Sequence, residues 1–146
     1  MSQAEGLLIM ASSHLTAAEL IVETEGDRAF NGRMSAALFL LLGFAMELSL
    51  KAAYLHLGGR KHVAKNEIGH SLKKALAAAK SQGYLASDEL TWIAEALERP
   101  HRTNYFRYLD GPTNVDIPEP AVVISALKPV ISDVARFVYP HATWNI

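Results

Sequence analysis

Leu8, Ala11, Leu15, Ala18 and Val22 follow one another at steps of three and four, the spacing of a helix with a single apolar seam. Glu25-Gly26-Asp27 ends that stretch. A longer helix is predicted from about Gly32 to Leu57. Leu38, Leu41, Ala45, Leu48, Ala52 and Leu55 form one seam along it, and Phe39, Leu42, Met46 and Ala53 form another. A helix apolar on several sides belongs at the centre of a bundle or at a subunit interface. Gly58-Gly59 stops it, and residues 60–69 read as a polar, basic loop.

Ser71 is placed to cap a third helix, with Leu72, Ala75, Leu76 and Ala79 facing inward and Gly83 at its carboxyl end. Ser87-Asp88-Glu89 starts a fourth: a cap followed by two acids at the positive end of the helix dipole. Its apolar side is Leu90, Ile93, Ala94 and Leu97, and Pro100 is expected to halt it. The stretch His101–Tyr108 is compatible with helix or loop. Asp110-Gly111-Pro112-Thr113-Asn114 reads as a turn. Pro118-Glu119-Pro120 opens a last helix whose inward side is Val123, Leu127, Val130, Val134 and Phe137 or Val138. Pro129 should kink or divide it by crowding Ser125. No repeat and no alternating strand pattern occurs. The expectation is an all-α, up-and-down bundle of four to six helices, residues 1–146 forming one domain.

Composition changes this picture little. Half of the 146 residues are hydrophobic and a fifth are charged, which is globular rather than disordered. There is no cysteine, which excludes disulfides, thiolate metal sites and a cysteine nucleophile. Met1–Glu5 lacks the positive opening of a signal peptide. The uncharged run Met34–Met46 spans 13 residues, short of the ~20 that cross a membrane. A cytoplasmic protein with no membrane partner is expected.

The net charge of −1 is unevenly spread. Residues 1–50 hold two basic and six acidic side chains, residues 51–80 seven and one, and residues 81–146 five and eight. The central basic block either serves an anionic partner through Lys73, Lys74 and Lys80 or is a solvated helix face.

Three places stand out chemically. Glu47 and Lys51 lie four apart, acid first, inside an apolar run. Charges there are costly unless they pair or act. They share a line on the helix with Leu40, Gly43 and Tyr54, so the couple either fixes helix register or positions a cation. His70 stands at the start of the third helix, either packing locally or touching a ligand. Glu67-Ile68-Gly69-His70 has carboxylate–histidine metal spacing, but a dinuclear bundle site needs a second copy and two further glutamates; there is no second copy, and Gly69 argues against a mid-helix position. No metal and no cofactor is expected. Finally, Arg99, His101, Arg102 and Arg107 interleave with Tyr105, Phe106 and Tyr108. Arginine grips phosphates two-pronged and aromatics stack on bases; equally, the arginines can pair with Glu95, Glu98 or Asp110. No glycine-rich phosphate loop and no serine–histidine–acid context occurs.

Glu47-x3-Lys51, then Gly69-His70-Ser71-Leu72, then the arginine–aromatic segment, resembles the HEPN superfamily over roughly Leu8 to Val138. The resemblance implies small helical bundles, usually dimers, found in bacterial toxin–antitoxin and phage-defence systems and in RNA processing. Nuclease members carry an arginine followed four to six residues later by a histidine, and the implied mechanism is metal-independent: the pair activates the RNA 2′-hydroxyl and stabilises the attacked phosphate. Arg102 matches the arginine, but residues 107–109 are Arg107, Tyr108 and Leu109; from Arg99 the window holds Asn104, Tyr105 and Phe106. His101 lies on the wrong side of Arg102. Imidazole titrates near neutrality, whereas arginine and tyrosine hold their protons tightly.

The expectation is therefore a HEPN-like homodimer without strong catalysis, binding RNA, a nucleotide or a cognate protein. Its site residues are Glu47, Lys51, His70, Arg102, Asn104, Tyr105, Arg107 and Tyr108. One alternative is a metal-independent RNA endonuclease in which Arg102 holds the phosphate, His101 moves protons and Glu47 orients a partner. The other is a protein-interaction module.

Overall fold

A computed structural model describes residues 2–103 and 117–138. Among them are five α-helices and no strand: α1 Gln3–Glu25, α2 Ser35–His56, α3 Leu72–Ser81, α4 Asp88–Arg102 and α5 Pro120–Val138. The expected all-α class holds. Asn104, Tyr105, Phe106, Arg107, Tyr108 and the expected turn Asp110–Asn114 lie outside the described residues.

The helix starts follow local chemistry. The Ser2 hydroxyl accepts the backbone N–H of Glu5, whose carboxylate accepts that of Ser2, a reciprocal cap on α1. Ser71 accepts from Lys74 N–H and Ser87 from Leu90 N–H, each at 3.1 Å, capping α3 and α4 as their sequences predict.

Helix α2 is the axis of the fold. It packs against α1, α3, α4 and α5, and α1 and α4 also meet α5. Its buried residues include Leu38, Phe39, Leu42, Met46, Leu50 and Ala53, which point to different sides; each large side chain so buried contributes about 1.5–3 kcal/mol. Leu41, Leu48 and Leu55 of the first predicted seam are only partly buried. Helices α1 and α2 are both long and apolar enough to cross a membrane, which the 13-residue uncharged run did not anticipate; in α2 most of the apolar stretch is covered by protein.

Three local expectations change. Residues 60–69 are not a loop: Val63–Ile68 form a π-helical turn that buries Ala64 and Ile68 against the core. Wider helical turns of this type recur beside functional sites. Pro100 does not halt α4, which runs on to Arg102 with Pro100 and His101 buried. The lost hydrogen bond is confined to the last turn, and the tertiary contacts of His101 hold that turn in place. Pro129 likewise sits within an undivided α5. Near the end of α5, of the two alternatives Phe137 and Val138, Phe137 is about half exposed and stacks flat on His56, with ring centres 5.8 Å apart; the Val138 side chain lies outside the described residues.

Candidate functional site: a buried carboxylate holding two histidines

Glu47 is buried on α2, and its carboxylate is shared by three partners from three parts of the chain. Lys51, one turn further along α2, donates from Nζ to Oε1 at 2.8 Å. His70, in the turn between the π-helical segment and α3, meets Oε1 through Nδ1 at 2.9 Å. His101, in the last turn of α4, meets Oε2 through Nε2 at 3.0 Å. An ionised carboxylate only accepts hydrogen bonds, so both rings donate to it.

Local structure delivers each ring. Gly69, with φ +55°, closes the π-helical turn in a conformation that other residues adopt at a cost, and so sets His70 just ahead of the Ser71 cap. His101 reaches α2 because Gly43, one turn before Glu47, has no side chain: a β-carbon there would overlap His101 Nδ1 and lie 3.0 Å from Cγ. Phe44 walls the cluster, its ring edge-on to His101 at 4.9 Å and to His70 at 6.0 Å. His101 Nδ1 is buried and has no hydrogen-bond partner among the described residues.

Burial disfavours the Glu47 carboxylate, but hydrogen bonds from His101 and Lys51, with the charges of both, outweigh it and hold its pKa down at about 2, from an ordinary 4.5. A carboxyl depressed in the folded state stabilises the protein above the unfolded value and loses that contribution as pH falls through the folded one. Stability should therefore drop by about 3 kcal/mol between roughly pH 4.5 and pH 2 on account of this group. Urea unfolding across that range checks it: Glu47→Gln should lack that part of the slope.

A second acid organises the rim. Glu98 of α4 accepts the Ser71 hydroxyl at 2.5 Å and the Lys73 backbone N–H at 2.8 Å, while Arg102 Nε lies 3.8 Å from it. The start of α3 is thus occupied by the chain's own carboxylate instead of standing open to an anion. Ser71→Ala removes a cap and a tie to Glu98 together. It should cost about 1–2 kcal/mol in thermal or chemical unfolding.

Of the sequence-predicted residues, Glu47, Lys51, His70 and His101 form one cluster, and Arg102 leaves the same end of α4 with its side chain 59% exposed. The His101 side chain is only 2% exposed and His70 is 54% exposed. With Nδ1 of His70 committed to Glu47, Nε2 is the nitrogen left for a ligand. A carboxylate-oriented imidazole with an accessible second nitrogen is an acid–base pair in geometry; His101 lacks that access. The sequence offered Glu98 as a partner for the arginines, but its hold on Ser71 and the Lys73 backbone across 27 and 25 positions had no sequence signal. Lys73 and Lys80 of α3 line a shallow cavity of ≈ 170 Å³ with Thr91 and Glu95 of α4. Comparison of the chain with family models, with curated proteins and with solved structures found no match.

Proposed function

We propose that the chain is a HEPN-like, up-and-down helical bundle, cytoplasmic and dimeric, that binds RNA without strong catalysis. The toxin–antitoxin or phage-defence setting implied by the resemblance goes with that proposal. The observation that supports it most is the meeting of Glu47 with both histidines at the end of α4 from which Arg102 projects. The buried Glu47–His101 pair thereby anchors the exposed His70 and lies at the end of α4 that carries the exposed Arg102. Lys73 and Lys80 add positive charge along α3, and polyanions bind such surfaces by releasing counterions.

Anisotropy of a labelled single-stranded RNA, titrated over a range of salt in the presence of a chelator, tests the proposal. Binding should weaken linearly on a log–log plot. Arg102→Ala and Lys73→Ala should each lower the affinity and flatten the slope by about 0.7. Absence of binding, or an unchanged slope in both variants, would reject the role. RNA cleavage in chelator that His70→Ala abolishes would replace simple binding with an endonuclease.

A further inference from the structure

We infer that Glu47, His70 and His101 form a binding site for one divalent transition-metal ion of the zinc class. One donor atom from each lies within 4.8 Å of the other two. His70 Nδ1 lies 2.9 Å from Oε1 and His101 Nε2 3.0 Å from Oε2, each close to the separation that two metal bonds of about 2.0–2.1 Å give at an octahedral angle. Two imidazoles and a carboxylate, with no sulfur, are a donor set for zinc and its first-row neighbours, not for calcium or magnesium. The inference goes beyond RNA binding and does not rest on it.

Loading moves one proton on each ring. In the ion-free protein each ring donates a proton to Glu47. To ligate, each ring shifts that proton to its other nitrogen and turns a lone pair toward the carboxylate. For His70 the other nitrogen belongs to a ring 54% exposed, where water can accept the proton. For His101 it is Nδ1, which is buried and has no hydrogen-bond partner among the described residues, so the shift leaves an unpaired N–H there whose cost the metal bond has to exceed. The two rings face different oxygens of the carboxylate, and Lys51, which holds Oε1, acts as the outer hydrogen bond that steadies a ligating carboxylate. Three protein donors leave the remaining coordination to water on the His70 side. The site is assembled from α2, the turn before α3 and α4, so an ion there would tie three elements together.

The test uses the full chain, stripped with chelator and then titrated with zinc sulfate against a chromophoric zinc indicator. Cobalt(II) serves as a spectroscopic probe in parallel. One equivalent of zinc per chain is expected to bind, with a rise in melting temperature, and cobalt should give visible absorption of nitrogen–oxygen coordination. His70→Ala, at a half-exposed position where the fold should survive, is expected to weaken zinc binding by more than about 100-fold. His62→Ala, at another exposed histidine, should leave it unchanged. Failure to saturate near one equivalent, or equal affinity in His70→Ala and the unaltered chain, overturns the inference. Neither result bears on the salt-dependent RNA measurement in chelator, so the two proposals fail separately.

Discussion

Glu47→Ala is expected to destabilise the protein by about 3–5 kcal/mol, the cost of breaking a buried charge pair from one side. The carboxylate answers Lys51, whose side chain is only 12% exposed, and His101, whose side chain is 2% exposed. Its removal strands a mostly buried ammonium and leaves the His101 ring with neither nitrogen paired. The void of the lost side chain adds to this. Glu47→Gln keeps the volume and one acceptor, so its loss should be smaller. Urea unfolding of the two variants measures both. A loss below about 1 kcal/mol for the alanine variant is the value of an exposed surface bridge and would mean that the carboxylate is solvated.

Gly43→Ala is expected to reverse the ordinary sign of such a change. Within a helix, glycine to alanine normally stabilises by about 0.5–1 kcal/mol. At position 43 the new methyl meets the imidazole of His101, overlapping Nδ1 and standing 3.1 Å from Cε1. The ring cannot retreat without losing Glu47 and the edge-on contact with Phe44. A loss of about 1–3 kcal/mol, typical of an overfilled core, should follow. The second variant makes the cause explicit: in a His101→Ala background the methyl has room, so Gly43→Ala should there recover its usual gain. If Gly43→Ala stabilises the unaltered protein, the docking of His101 against α2 is not as described.

Much of the helical framework was legible because its signals are local. Ser71 and Ser87 cap the helices they were expected to cap, and Leu8, Ala11, Leu15 and Ala18 are buried as a seam. Pro100 misled because the local rule weighs one lost hydrogen bond, whereas His101, by prolonging the helix, gains its hydrogen bond to Glu47 and its ring contacts with Phe44 and His70. Val63–Ile68 was hidden by its lysine, asparagine and glutamate, although Ala64 and Ile68 carry the burial. The candidate site was half legible. Glu47 was conspicuous as an acid in an apolar helix, but its histidines stand 23 and 54 positions away, and no spacing rule reaches that far. The metal-like spacing of Glu67 and His70 pointed to the right histidine with the wrong acid: Glu67 is exposed, and the carboxylate His70 meets is on α2.

The shared carboxylate is tested most directly by long-range nitrogen–proton NMR of the imidazole rings in the stripped protein near pH 8. A proton on Nδ1 of His70 and on Nε2 of His101, with Glu47→Gln shifting the resonances of both, is the predicted result. A bare lone pair at either of those nitrogens, or rings indifferent to Glu47→Gln, would contradict it.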